Sequence, residues 1–161
     1  MNDREAAAGR GAAFARLVEV VERLRGPDGC PWDRQQTHDS LKPYLLEETY
    51  EVLAALDDAV GKPHKLREEL GDLLLQILLH SVIAGERGAF TVTDVVEGLR
   101  DKLIRRHPHV FGDVEVSSVD EVNRRWQAIK AQEREESDDG QGSSLLEGVA
   151  EGLPPMARAY A

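Results

Sequence analysis

The sequence predicts an all-α protein. Apolar residues recur at three- and four-residue intervals over most of the chain, and Gly/Pro clusters cut this pattern into separate helices. Only short extended links stand between them. The order of the elements follows from the breakers. Residues 1–11 are polar and rich in Gly and Ala, and are expected to be a flexible N-terminus. From Ala12 to Leu24, the positions Phe14, Leu17, Val18, Val21 and Leu24 form a helical stripe, which Gly26, Pro27 and Gly29 end. A second helix starts with Thr37 as N-cap and runs to about Asp58, with Pro43 tolerable only near its start. Gly61 and Pro63 separate it from the third and longest helix, about His64 to Glu86. Thr93 is expected to cap a fourth helix reaching Arg106. Ser118 and Glu121 match a Ser-x-x-Glu capping box for a fifth helix, about Val119 to Glu136. Residues 137–144, SDDGQGSS, read as a flexible linker before a weakly apolar tail that ends at residue 161. One domain over residues 12–136 is the expected organisation.

Composition narrows the class. Hydrophobic residues are 41% and charged residues 31% of the chain, as in ordinary helical proteins, while aromatics at 5% imply an aliphatic core. A net charge of −10 argues against nonspecific binding to a nucleic-acid polymer. Cys30 is the only cysteine, which excludes an internal disulfide and fits a reducing cytoplasm. No run of apolar residues approaches a membrane span, and the N-terminal segment lacks the apolar core of a signal peptide.

Two acidic pairs lie in the stretch from Leu41 to His80. Glu48 and Glu51 sit on the second helix, and Glu69 and Asp72 on the third. Residues three apart share a helix face, so each pair can aim two carboxylates at one point. Glu48 interrupts the apolar stripe Leu41, Leu45, Val52, Ala55, Leu56. Glu69 and Asp72 flank the stripe Leu66, Leu70, Leu73, Ile77, which Ala84 continues. Converging acids repel unless a cation sits among them, and oxygen ligands suit Mg²⁺, Mn²⁺ or Ca²⁺ rather than Zn²⁺. The alternative is plain surface charge, or pairing with Lys65 and Arg67. A di-iron site would need Glu-x-x-His, and none of the five histidines has a Glu three residues before it. No phosphate-binding glycine loop or Cys/His zinc spacing occurs either. What remains is metal-assisted attack of water on a phosphate chain. Lys102, Arg105 and Arg106 then read either as a phosphate clamp or as a basic last turn favoured by the helix dipole. On pattern alone Trp126 is a core residue, and Trp32 is expected to plug the edge of the core rather than stack on a ligand.

The segments GPDGCPWDRQQTHDSLKPYLLEETYEVLAAL, LREELGDLLLQILLHS and DKLIRRHPHVFGD, in that order, resemble the MazG nucleoside triphosphate pyrophosphohydrolases over residues 14–135. The family signature Glu-Glu-x-x-Glu, then Glu-x-x-Asp, stands here as Glu47, Glu48 and Glu51, then Glu69 and Asp72. The resemblance implies a helical bundle of the all-α NTP pyrophosphatase type, with about five helices and dimers formed through apolar helix faces. It implies hydrolysis of NTPs or dNTPs to a nucleoside monophosphate and pyrophosphate. It implies Mg²⁺, with Mn²⁺ as a substitute, held by Glu48, Glu51, Glu69 and Asp72, with Glu47 orienting water. It places Lys65, Lys102, Arg105, Arg106 and Trp126 at the substrate. A homodimer or higher oligomer is the expected assembly. Many relatives carry two such domains, and the tail LPPMARAYA resembles the start of a link to a second. The competing expectation is a catalytically weak nucleotide-binding module that regulates a partner protein.

Overall fold

A computed structural model describes residues 3–137, and side chains over 5–133. Among these residues there are seven helices and no strand: α1 (Asp3–Arg25), α2 (Pro31–Gln35), α3 (His38–Asp57), α4 (Pro63–Glu86), α5 (Val92–Arg106), α6 (Pro108–Phe111) and α7 (Val119–Ser137). The expected linker and tail from residue 138 on lie outside the described residues. The five expected helices are all present. The two additional ones, α2 and α6, are single turns opened by prolines, too short to show a helical period in the sequence. Helix α1 begins at Asp3, well before the expected Ala12. The Ala6–Ala8 run favours this extension enough to carry exposed Gly9 and Gly11, each of which costs a helix about 1 kcal/mol.

The chain divides into two compact units after Asp101, within α5. In the first unit α4 packs against both α3 and α1, and α1 also packs on α2. The core of this unit is Val21, Leu41, Leu78, Leu79 and Ile83, with Phe14, Val18, Leu74, Leu75, Val82 and Val92 packed around it. It is aliphatic, as the low aromatic content requires. The buried face of α4 is rotated from the expected stripe. Ala84 is buried as expected, but beside it the buried residues are Leu78, Leu79 and Ile83, whereas Leu70 and Ile77 are 48% and 43% exposed. On α3, Leu41, Val52 and Ala55 are buried as expected, but Leu56 is 52% exposed. Trp32 is also exposed and meets Tyr44 edge-on at 5.7 Å, so it does not plug the core.

Local chemistry sets the helix ends. Thr37 caps α3: its hydroxyl accepts from the Ser40 N–H, and Ser40 Oγ accepts from the Thr37 N–H. Pro43 lies in the second turn of α3, where its missing N–H leaves the carbonyl of exposed Asp39 to solvent. At the other end of α4, Gly88 takes φ 67°. The Ala89 N–H then reaches the Ala84 carbonyl, and the Gly88 N–H reaches that of Gly85, which closes the helix. The cap of α5 is Thr91 rather than Thr93. Asp94 accepts from both the N–H and the hydroxyl of Thr91, and the Asp94 N–H returns a bond to Thr91 Oγ1. Gly29 is required for a different reason: a Cβ there would strike the carbonyls of Arg23 and Leu24, against which the turn folds.

Arg25 ties these ends together. Its side chain is 5% exposed and forms a bidentate pair with Glu86 at 2.8 Å. It also donates to the carbonyls of Asp33 and Gln36. One guanidinium thereby joins the end of α1, α2, the approach to α3 and the end of α4.

The second unit holds the last turn of α5, α6 and α7. Arg105 and Arg106 both bond the Glu133 carboxylate, which is held below its ordinary range, chiefly by the Arg106 hydrogen bond. Helix α7 opens on Ser118, whose hydroxyl accepts from the Glu121 N–H. Glu121 reaches back to Ser117 rather than Ser118. Bonds from the Ser117 N–H and hydroxyl, together with Arg125, push it down to about 2.

Candidate metal centre

The short connection between α3 and α4 makes them a helical hairpin, and the acids lie near its turn. Glu48 and Glu51 project from α3 and Glu69 from α4. Each offers a carboxylate oxygen, and the three oxygens lie within 4.8 Å of one another. Glu48 and Glu69 are half-buried and Glu51 is exposed, so the cluster is open on one side. Glu48 Oε2 is buried without a hydrogen-bond partner. A buried carboxylate oxygen with no hydrogen-bond donor, on a residue of an acid cluster, fits a cation ligand.

Electrostatics agree. Glu48 is raised above the usual carboxylate range, first by burial and then by the fields of Asp72, Glu51, Glu47 and Glu69. Glu69 is raised by burial and by Glu51, with Lys65 opposing. A Glu51–Glu69 hydrogen bond contributes to that rise, and it exists only while one of the two carboxyls keeps its proton. The basic group bound to the cluster is Lys65, whose Nζ lies 4.0 Å from Glu69 Oε1 and is itself well exposed. Among the described residues no arginine pairs with the three acids.

These shifts give a signed pH dependence. Both carboxyls hold their protons more tightly in the fold than in the unfolded chain. The metal-free protein therefore keeps this stability below 4.5 and loses it as pH rises through the folded values. A divalent cation reverses the loss by favouring the ionised form. Melting with EDTA and with Mg²⁺ checks this. The gain in Tm from Mg²⁺ is expected to be larger at about pH 8 than at about pH 5; equal gains at both would contradict it.

The other expected site residues fall as follows. Asp72 is outside the group of three close oxygens, yet its charge acts on both Glu48 and Glu69. Glu47 is exposed, and its field reaches Glu48. In the second unit Lys102 is exposed. The Arg106 guanidinium lies over the Trp126 ring at 5.5 Å, and His107 meets that ring edge-on at 4.7 Å. Arg105 and Arg106 are thus already engaged, by Glu133. Sequence reasoning missed Glu133. Its spacing from Val122, Trp126 and Ile129 continues their helical face, which is the signal that would have found it.

A helical hairpin presenting a carboxylate cluster places the protein among all-α domains built around inward acids. The chain contains a MazG domain. Residues 36–111, which contain all four acids, match the MazG nucleotide pyrophosphohydrolase domain. It is 54% identical over 124 residues to the nucleoside triphosphate pyrophosphohydrolase/pyrophosphatase MazG of Thermotoga maritima, covering 77% of this chain and 46% of that protein. It is 44% identical over 147 residues to the nucleoside triphosphate pyrophosphohydrolase of Escherichia coli K12, covering 89% of this chain and 53% of the relative. The chain therefore spans about half the length of these curated relatives. The crystal structure of a MazG-related protein from Thermotoga maritima aligns with a TM-score of 0.60 at 28% identity, over 73% of this chain and 98% of that one. Among the described residues no helix is long and apolar enough to cross a membrane.

Proposed function

We propose that the protein hydrolyses nucleoside triphosphates, ribo or deoxy, to a nucleoside monophosphate and pyrophosphate, with Mg²⁺ as the cofactor and Mn²⁺ as a substitute. The observation that carries this reading is the convergence of Glu48, Glu51 and Glu69 within 4.8 Å, inside the segment that matches the family. These three residues would hold the metal, with Asp72 completing the set. Bound there, a divalent cation supplies charge neutralisation for the phosphates and lowers the proton affinity of a coordinated water. The chain's own groups do the rest. Water adds across the bond between the α and β phosphates, its oxygen going to one phosphorus while the bridging oxygen leaves with the other. Glu47, exposed beside Glu48, is the residue proposed to orient that water and take its proton. Lys102 is the proposed phosphate contact, on the family pattern Lys-x-x-x-Arg. Arg105 and Arg106 would have to exchange Glu133 for phosphate to join it, and Arg106 would keep Trp126 in place. Lys65 is free to leave Glu69 for substrate, because that contact is long and its lysine end is solvent-exposed.

The test is a panel of canonical and modified NTPs and dNTPs, assayed for pyrophosphate with and without Mg²⁺. Metal-dependent release of pyrophosphate is expected. No release from any nucleotide would reject the enzyme reading in favour of a nucleotide-binding module.

The proposed assembly is a homodimer. Leu46, Tyr50 and Leu53 recur along one side of α3 and are each at least half exposed, and Leu70 and Ile77 are similarly open on α4. Apolar surface of this extent at helical spacing fits a second copy of the chain. Light scattering on a Leu53→Glu variant should show loss of the dimer; an unchanged dimer would place the interface elsewhere.

A further inference from the structure

At the end of the α3–α4 hairpin away from the acids, two histidines meet. His38, the first residue of α3, and His80, on α4, meet edge to edge with rings 6° from parallel and Nδ1 atoms 2.8 Å apart. That separation is a hydrogen bond, so one Nδ1 carries the proton and the other accepts it. We propose that this pair is an acid-sensitive latch: sharing one proton, it ties the first turn of α3 to α4, and binding a further proton on the accepting Nδ1 releases it.

The geometry makes the pair selective between protonation states. A proton added to the outer nitrogen of the donating ring leaves the Nδ1–H···Nδ1 bond intact. A proton added to the accepting Nδ1 removes the only acceptor between the rings and sets two N–H donors against each other, with positive charge on the ring. The surroundings give such charge little help beyond the field of exposed Asp39 on His38. His80 is half-buried, its Nε2 has no partner, and Gln76, one turn away on α4, has a buried Oε1 that is also unbonded. His38 stands at a helix N-terminus, where the dipole opposes positive charge. Nearby charges are occupied with each other. On α3, Asp39 pairs with Lys42. Arg25 of α1 pairs with Glu86 of α4. On α2, Arg34 donates to the Pro27 carbonyl, and the backbone carbonyl of Asp33 accepts from Arg25. Among the described residues no carboxylate bonds either imidazole. Burial, and then His38, hold His80 below its ordinary value. The unfolded chain therefore takes up this proton more readily, and the latch's stability is lost as pH falls below 6.5.

The latch acts on the register of α3 against α4, the two helices that carry the carboxylates, from about two to three helical turns away. It is independent of the hydrolase reading, because it concerns only how the hairpin is held. A double-mutant cycle tests it, with His38→Phe, His80→Phe and the double variant melted as full chains at about pH 7.5 and about pH 5. At the higher pH each single variant should lose about 2–4 °C in Tm, and the double variant less than the sum of the two. At the lower pH that coupling should disappear. Coupling of equal size at both pH values, or none at the higher, overturns the latch. NMR of the wild-type imidazoles gives a second reading that needs no variant. The latch predicts two separated titration steps for the pair, whereas two independent rings titrating together near 6.5 contradict it.

Discussion

Glu51→Gln is expected to lower NTP turnover by about 100-fold or more while leaving the protein folded. The amide keeps the shape of the side chain but loses the charge. Glu51 is one of three residues whose oxygens converge within 4.8 Å, so its loss weakens the hold on any cation there. Metal stabilisation of a phosphoryl transition state is worth several kcal/mol, and each 1.4 kcal/mol is about tenfold in rate. Stability should move the other way. Glu51 raises both Glu48 and Glu69, so removing its charge relieves repulsion in the metal-free protein. Kinetics beside a melting curve check both halves. A collapse in Tm with unchanged activity per folded molecule would show that Glu51 serves the fold alone.

Leu41→Ala should have the opposite profile. Leu41 is fully buried in the first unit's core with Val21, Leu78, Leu79 and Ile83. Emptying such a site costs about 2–5 kcal/mol through lost transfer energy and a residual cavity. For a chain of this size that is roughly 5–20 °C in Tm. Activity per folded molecule at a temperature well below the transition should stay near that of the parent. A drop in Tm under about 2 °C would mean that the site collapses around the smaller side chain.

The contrast between these residues explains what the sequence makes legible. The α3–α4 hairpin is written in local terms: a Thr37 cap, helix breakers at Gly61 and Pro63, and acids set against apolar stripes. The convergence of Glu48, Glu51 and Glu69 follows from that periodicity, because helix faces are fixed by spacing. Features made by two distant segments are not legible in this way. Leu70 and Ile77 fit the period of α4 as well as the buried Leu78 and Leu79 do, and only packing against α1 and α3 decides between them. Thr91 and Thr93 are equally good caps by composition, and the reciprocal bonds with Asp94 select the first. The His38–His80 contact joins residues 42 positions apart. Arg105 and Arg106 read as free cations until α7 brings Glu133 to them.

The claim that the hairpin's carboxylates exist to hold a divalent cation is tested most directly by crystals of the full chain grown with Mn²⁺ and measured for anomalous scattering. A peak among the oxygens of Glu48, Glu51 and Glu69 is expected, with the previously unpartnered Glu48 Oε2 among its ligands. A map with no peak there, and those side chains turned out to solvent or bound to basic residues instead, would contradict it.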